Sequence, residues 1–232
     1  MFSLILLNYK RPNNTRNIVD HMKHFAYIDE IIISNGDVDS SVNYIDNKVT
    51  VYDDSIFNTI YCLDLRFVCG LRAKNNDIII IDDDLYIEEE ELHKVVSAYR
   101  SNPNRIVGVF GRSMEHEYVA KDVYGDVDII LTRLLICQKK LCSLFFMCKP
   151  MIEHIYRNGA PYGNGEDIFL SFIASIYYKC KHTCLTNIRT TNLPQHNAIW
   201  HNKNHLPYRN ELSAYLRNNR HIFTKLIDSL KI

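Results

Sequence analysis

Several features that would place this chain in a familiar class are missing from its 232 residues. No apolar run approaches the roughly 18 residues that a membrane-spanning helix needs. The apolar start, Met1 to Leu7, is too short for a secretory signal and has no basic segment before it. Basic and acidic residues balance at 27 each, so the overall charge favours neither nucleic acid nor an anionic membrane surface. We therefore expect no transmembrane segment and no nucleic-acid partner.

Paired cysteine spacings are also missing. The seven cysteines are odd in number, and no Cys-x-x-Cys occurs among them. Reduced, mostly buried thiols are the expectation for such a pattern, which predicts a cytoplasmic protein. The sequence has no internal repeat and no low-complexity tract, and 47% of its residues are hydrophobic. A packed core within a single domain over residues 1–232 is therefore expected.

The most informative stretch is Ile78–Tyr86. Four consecutive isoleucines, Ile78–Ile81, predict a strand buried on both faces of its sheet. Asp82, Asp83 and Asp84 follow, where three adjacent carboxylates repel one another unless a cation neutralises them. In an extended segment Asp82 and Asp84 would share one side, as ligands for Mg²⁺ or Mn²⁺, while Asp83 points away. The alternative is an ordinary solvated turn after a strand.

The rest of the chain alternates between strand and helix patterns. Buried strands are predicted over Phe2–Asn8, Glu30–Ser34 and Lys48–Tyr52, with a helix beginning near Pro12. This alternation indicates an α/β fold with parallel pairing. Further strand-like segments are Arg105–Phe110 and 127–135, separated by an irregular polar segment over 113–126, and 141–147 is a further apolar run.

Polar side chains lie at the ends of several predicted strands. Arg11 follows the first strand, Asn35 ends the second, Asp82 and Asp84 follow the isoleucine strand, and Arg112 follows the next one. Ligands of open α/β sheets bind beyond these carboxyl ends. Two cations, an amide and a metal site together suit a nucleoside diphosphate, although each arginine alone is more often a surface residue.

Two later segments allow more than one interpretation. Glu166 and Asp167 follow a glycine-containing loop and open an apolar helix, where acids either stabilise the helix dipole or take part in catalysis. His196, His201 and His205 lack the spacing of a zinc motif. They are interpreted as loop histidines, and a single metal contact from one of them stays open.

Taken together, these motifs resemble the C-terminal catalytic domain of the exostosin and exostosin-like family. The family contains metal-dependent, retaining glycosyltransferases with a GT-A fold, in which a Rossmann-like half carries a mixed central sheet flanked by helices. The resembling segments, in chain order, are Ile5–Pro12, Ile31–Asn35, Asn58 with Arg66–Phe67, Asp82–Asp84, Asn104–Arg112, Ile129–Thr132, Asn164–Ile168 and His205–Glu211. The chain departs from the family pattern in the wider spacing from Asn58 to Arg66, in Gly165 where the family has cysteine, and in lacking the secretory anchor.

The resemblance implies a role for each matching position. A nucleotide-sugar-binding half would span about 1–112, and an acceptor and catalytic half about 113–232. Asp84 would bind the metal together with Asp82, which would also lie near the ribose, and Asp167 and Arg209 would face the reacting carbon. The remaining nucleotide-binding positions would be Arg11, Asn35, Asn58, Arg66, Asp83 and Arg112.

The resulting prediction is a glycosyltransferase that moves a sugar, hexosyl or N-acetylhexosaminyl, from a UDP-sugar to a hydroxyl of a glycan acceptor with retention. Mn²⁺ or Mg²⁺ would be the cofactor. A sugar nucleotidyltransferase is an alternative, but it normally has a glycine-rich basic loop after the first strand, which Tyr9–Pro12 is not. A glycan-binding module without activity is a second alternative, and a phosphatase of the Asp-x-Asp type is a weaker third.

Overall fold

The computed structural model describes residues 1–157, 165–195 and 203–230, and those parts form one α/β layered structure. Its strands are β1 (Phe2–Asn8), β2 (Ile28–Asn35), β3 (Val49–Asp53), β4 (Asp77–Ile81), β5 (Leu85–Tyr86), β6 (Val107–Gly108), β7 (Gly111–Arg112), β8 (Gly125–Val127), β9 (Ile129–Ile130), β10 (Leu134–Gln138), β11 (His182–Cys184) and β12 (Thr191–Asn192). Its helices are α1 (Pro12–Met22), α2 (Ser55–Tyr61), α3 (Leu65–Arg72), α4 (Glu89–Ser101), α5 (Lys140–Cys148), α6 (Glu166–Tyr177), α7 (His205–Asn218) and α8 (Arg220–Ser229).

Eight of the strands form one mixed sheet in the order β3-β2-β1-β4-β10-β6-β11-β8. The first four are parallel, β10 is antiparallel to both β4 and β6, and β8 closes the far edge antiparallel to β11. The predicted parallel α/β arrangement of the first half is therefore confirmed. The small sheets β12-β5 and β7-β9 lie outside this main sheet.

The isoleucine strand β4 lies at the centre of the main sheet and is buried on both faces, as its composition predicts. Its side chains alternate between two cores. Ile78 and Ile80 belong to a core with α3, α5, α6 and α8, whereas Ile79 and Ile81 belong to one with α1 and α4. Helices among the described residues thus pack on both faces of the sheet.

Helix α6 is buried along nearly its whole length, from Glu166 to Ile176. A helix that is apolar on every side is typical of the interior of a domain, and the sequence of α6 is almost continuously apolar after Asp167. Gly165 precedes it because α7 packs there: a Cβ atom at Gly165 would lie 2.5 Å from Leu212 Cδ2. The two acids that open α6 are consequently inside the protein rather than at its surface.

The second half differs from the sequence-based expectation. The predicted strand 105–110 is reduced to β6, the segment 127–135 is divided among β8, β9 and β10, and 141–147 lies within the helix α5. Strand β9 pairs with β7 in a small sheet, whereas β10 joins the main sheet, so the chain changes sheets over Leu131–Arg133. The prediction of one strand over 127–135 is therefore wrong, because the polar residues Thr132 and Arg133 interrupt the apolar run where the chain changes sheets.

The polar segment predicted to be irregular over 113–126 is irregular up to residue 124, and Gly125 begins β8. The irregular part is attached to the body of the protein by hydrogen bonds. Asp128 accepts a hydrogen bond from the Met114 backbone N–H at 2.9 Å, and Asn210 accepts one from the Tyr118 backbone N–H at 2.9 Å. Among the helices of the described residues, none has the length and apolar character to cross a membrane.

Candidate functional site

The ends of the parallel strands bring several predicted site residues to one edge of the sheet. In the register of β1, β2 and β3, Asn8, Asn35 and Asp53 lie side by side. Strand β4 ends beside them, because Ile81 pairs with Leu6 two residues before the end of β1. Side chains that follow these strands therefore share one crevice, which is where ligands of such sheets bind.

The three aspartates do not continue β4 as an extended segment. The chain turns after Asp82, whose carbonyl accepts a hydrogen bond from the Leu85 backbone N–H at 3.2 Å. The predicted alternation, with Asp83 facing away from Asp84, is therefore wrong, because alternation of side chains holds only in extended backbone. Instead Arg11 contacts both carboxylates, at 2.6 Å from Asp83 Oδ1 and 3.0 Å from Asp84 Oδ2.

Asp83 and Asp82 have different surroundings at this turn. Asp83 is nearly buried and also accepts a hydrogen bond from the Tyr9 backbone N–H at 3.2 Å, so it fixes the loop after β1. Burial raises the pKa of Asp83 to about 6, although Arg11 opposes that effect. Asp82 is more exposed and lies 3.2 Å from Nη1 of the buried Arg66.

Asp84 has the features of a ligand for a hard cation. Its Oδ1 is buried without a hydrogen-bond donor, and the cation of Arg133 lies 3.8 Å away. Burial and then the charge of Asp82 raise the pKa of Asp84, so its charged form lacks sufficient compensation in the free protein. A divalent cation would supply that compensation.

Within the described residues, no cluster of three or more acidic, histidine or cysteine side chains converges as a metal cage. Mg²⁺ sites of nucleotide-dependent enzymes also lack a complete set of protein ligands. One or two carboxylates hold the ion, and phosphate oxygens of the substrate complete its coordination shell. Asp84 and Asp82 therefore fit a metal that binds together with a diphosphate. His196 and His201, two of the three histidines for which a metal contact stays open, lie outside the described residues, as does Asn164.

Asn35 and Asn58 lie at the same edge but differ in how their amides are used. The Asn35 side chain is buried, accepts hydrogen bonds from Asn8 Nδ2 at 2.8 Å and the Val42 backbone N–H at 3.0 Å, and donates to the Val42 carbonyl. It thus shapes the loop after β2. Asn58 borders that loop, since a Cβ atom at Gly36 would lie 3.3 Å from the Asn58 amide.

A buried arginine joins the aspartate turn to the start of α6. Arg66 Nη1 lies 3.2 Å from Asp82 and 3.5 Å from Glu166 Oε1, and its side chain is 5% exposed. The same Glu166 oxygen accepts a hydrogen bond from Thr132 Oγ1 at 2.9 Å. Glu166 Oε2 is buried without a donor. Arg66 thus connects Asp82 of the aspartate turn with the helix that carries Asp167.

Asp167 forms a buried ion pair with Arg209. Arg209 Nη2 lies 2.7 Å from Asp167 Oδ2, and both side chains are almost fully buried. The Tyr118 ring covers the guanidinium, with its centroid 4.5 Å from the Arg209 Cζ. His205 is nearby on the same helix as Arg209, and burial followed by the Arg209 charge lowers the pKa of this histidine. The two predicted catalytic positions, far apart in sequence, are therefore in direct contact.

Glu166 should make the stability of the protein depend on pH. Burial, and then the Asp167 charge, raise the pKa of Glu166 to about 7, above the 4.5 of a free glutamate. The folded state therefore binds a proton more tightly than the unfolded chain, and stability declines as pH rises through this interval. We expect Glu166→Gln to lessen that decline, by on the order of 1–3 kcal/mol between pH 5 and 8.

Urea unfolding at the two pH values measures this effect. Glu153→Gln, at a solvent-exposed glutamate, is the matched control and should follow the wild type. Equal loss of stability in Glu166→Gln and the wild type would contradict the assignment.

Three residues near the site were not predicted from the sequence: Thr132, Arg133 and Tyr118. Thr132 and Arg133 lie where the chain changes sheets, and Tyr118 belongs to an irregular loop, so no local periodicity marks them. Arg112 is predicted to bind the nucleotide, but its side chain makes its contacts away from the aspartate turn. It contacts Asp122 and donates to the Gly111 carbonyl at 2.8 Å, and none of its contacts in the described part of the chain reaches the aspartate turn.

Comparison with known proteins supports this architecture. An Arabidopsis thaliana protein, glycosyltransferase family protein 64 C3, is 30% identical over 121 residues, which are 49% of this chain and 36% of that protein. The chain thus spans about a third of the length of that relative.

The GalNAc-T7 crystal structure with UDP, GalNAc and Mn²⁺ superposes with a TM-score of 0.60 at 9% identity, covering 85% of this chain and 44% of that one. The Pyrobaculum calidifontis mannosyltransferase PcManGT, in complex with GDP-Man and Mn²⁺, gives a TM-score of 0.49 at 11% identity, covering 84% and 58%.

The predicted GT-A fold is confirmed by the likeness to GalNAc-T7, which at this identity shows the fold alone. A family model, the glycosyl transferase family 64 domain, matches residues 2–220, nearly the whole chain. The narrower resemblance to exostosins stays a prediction. The chain belongs to the glycosyltransferase family 64 domain family.

Proposed function

We propose that this chain transfers a sugar from a UDP-sugar to a hydroxyl of a glycan acceptor, with a divalent cation and with retention of anomeric configuration. The observation that carries the proposal is the connection from the aspartate turn through Arg66 to α6. Arg66 contacts Asp82 in the turn and Glu166 in α6, next to the buried ion pair of Asp167 with Arg209. This connection supports a metal ligand at Asp84, in the same turn as Asp82, acting together with Asp167. The cytoplasmic location stays a prediction from the sequence.

The nucleotide would bind at the ends of the parallel strands. Arg11 is cationic and already lies between two carboxylates, and Asn58 borders the crevice beside Gly36. Arg66 would hold Asp82 in place near the ribose. A metal held by Asp84 and Asp82 would neutralise the diphosphate, and this is the chemistry that it supplies when bound.

The residues of the second half would act on the sugar. Glycosyl transfer passes through an oxocarbenium-like state, which a nearby carboxylate stabilises. We assign this role to Asp167, whose carboxylate the Arg209 guanidinium holds in position at 2.7 Å. It would orient the acceptor hydroxyl, bind the donor sugar, or attack the anomeric carbon as a nucleophile.

The choice of nucleotide is the first test. GalNAc-T7 was crystallised with UDP and Mn²⁺, which makes this pair the first to examine. In calorimetry with MnCl₂, UDP should bind at least tenfold more tightly than GDP or CDP, and EDTA should weaken it. A preference for GDP would assign the donor to GDP-sugars and contradict the UDP proposal. A product with inverted configuration by NMR would contradict the retaining mechanism.

A sugar nucleotidyltransferase is not favoured by any feature of the site. Such an enzyme binds a nucleoside triphosphate and releases pyrophosphate, which assays with UTP and a sugar phosphate would detect. Membership in a glycosyltransferase family weighs against it.

A further inference from the structure

Arg133 lies at the point where the chain passes from the small sheet into the main one. The backbone N–H of Asp82 donates a hydrogen bond of 3.0 Å to the Arg133 carbonyl, so Arg133 is attached to the aspartate turn itself. Its neighbour Thr132 donates to Glu166 on α6. Arg133 thus occupies a short segment held by both parts of the site.

The Arg133 side chain is held in place although its carboxylate partner is distant. Its guanidinium lies over the Phe110 ring at 4.7 Å, and its Nη2 donates to the Asn192 side chain. Asp84 Oδ1 is 3.8 Å from Arg133 Nε, which is too far for a hydrogen bond. The side chain is 24% exposed, so it is held in position but is still accessible to solvent or to a ligand.

The charges around Asp84 favour an anion once a metal is present. Arg11 lies 3.0 Å from Asp84 Oδ2, and Arg133 lies 3.8 Å from Oδ1. A divalent cation on Asp84 would take over this carboxylate, whereas Arg11 would keep Asp83 at 2.6 Å. The cation and the Arg133 guanidinium would then lie close together and repel one another. A diphosphate is an anion with enough charge and enough oxygens to lie between them.

We propose that Arg133 is a further donor-binding residue, which contacts the diphosphate of the nucleotide sugar and stabilises it as the leaving group. This inference rests on the proposed function. When the bond between the anomeric carbon and the diphosphate oxygen breaks, its electron pair remains on that oxygen. The acceptor hydroxyl oxygen supplies the pair for the new bond to the sugar, and its proton is released. The guanidinium N–H groups of Arg133 donate to the diphosphate oxygens as their negative charge grows, an interaction that strengthens in the transition state.

Calorimetry in the presence of MnCl₂ tests this role through binding alone, with UDP and uridine as probes. Arg133→Gln should weaken UDP binding by about 10- to 100-fold, because a charge-assisted contact is lost. Uridine, which has no phosphate, should bind Arg133→Gln within twofold of the wild type. Mn²⁺ alone should bind as tightly or more tightly, since a cation beside Asp84 has been removed. Arg133→Lys, which keeps the positive charge, should bind UDP more tightly than Arg133→Gln does. If the glutamine variant folds poorly, the lysine variant can be compared with the wild type in its place.

Arg105→Gln is the matched control. Arg105 has similar exposure, 23%, and is paired with Asp126 at 3.1 Å away from the site, so its loss should leave UDP binding unchanged. Equal UDP affinity in Arg133→Gln and the wild type, or equal weakening of UDP and uridine, would overturn the inference while the proposed function stands. A wild-type protein that binds no nucleoside diphosphate with Mn²⁺ would overturn both.

Discussion

Asp84→Asn should lower turnover of the nucleotide sugar by at least a thousandfold without unfolding the protein. The asparagine has the same shape but lacks the charge that a divalent cation requires at Oδ1. The free protein should tolerate the change. Burial already raises the pKa of Asp84, which means that the charged form is disfavoured in the fold. Thermal melting without metal should therefore show little loss of stability, or a small gain.

The two effects are measured separately. Mn²⁺ binding by calorimetry should weaken at least tenfold in Asp84→Asn, and the thermal shift that UDP with Mn²⁺ gives in the wild type should disappear. Asp126→Asn is the control, because this aspartate has an arginine partner, Arg105, but lies on β8 away from the strand ends. Activity in Asp84→Asn that stays at the wild-type level and is still abolished by EDTA would remove Asp84 from the metal site.

The position of Asp84 illustrates what the sequence can predict. The four isoleucines require a strand that is buried on both faces, and such a strand ends in a crevice, so the location of the acids followed from composition. The orientation of the acids could not be predicted from the sequence. It depends on a turn after Asp82, and neither glycine nor proline is present there to indicate a turn. Arg11 could then bind Asp83 and Asp84 together, which an extended segment would prevent.

Contacts between residues that are distant in the sequence explain most of the remaining differences between the sequence-based predictions and the structure. Arg133 meets Asp84, and Thr132 meets Glu166, only because β9 and β10 belong to different sheets. The polar residues Thr132 and Arg133 interrupt the apolar run at this point, but the pattern alone does not show which sheet each flanking segment joins. The ion pair of Asp167 with Arg209 was foreseen only as two separate positions implied by a family resemblance. Residue spacing alone could not show that they touch.

Because Asp167 belongs to a buried ion pair, its substitution should lower the stability of the protein more than substitution of an exposed acid would. An exposed acid in the first turn of a helix contributes only about 0.3–1 kcal/mol through the helix dipole. Asp167 instead neutralises an arginine that is almost fully buried. Removing one partner of such a pair leaves an uncompensated buried charge, which costs on the order of 3–5 kcal/mol. Stability and chemistry therefore have to be separated in any test of this residue.

Asp64→Asn provides the matched control for that separation. Asp64 is fully buried and pairs with Lys149 at 2.7 Å, and it also accepts a hydrogen bond from Tyr156 at 2.6 Å. The variant should lose a comparable amount of stability, because it too leaves a cation without its carboxylate. Asp64 is assigned no part in the proposed chemistry, so the folded fraction of Asp64→Asn should turn over at a rate near that of the wild type.

Asp167→Asn should lower kcat of the folded fraction at least a hundredfold, with UDP affinity in calorimetry unchanged. The reason is that the carboxylate acts on the positive charge that develops at the anomeric carbon, an interaction made mainly in the transition state. Rates measured well below the melting temperature of both variants exclude unfolding as the cause. If Asp167→Asn and Asp64→Asn lose stability and turnover in the same proportion, Asp167 only supports the fold. A selective loss of kcat in Asp167→Asn would assign it to the reacting centre, with Arg209 holding its carboxylate in position.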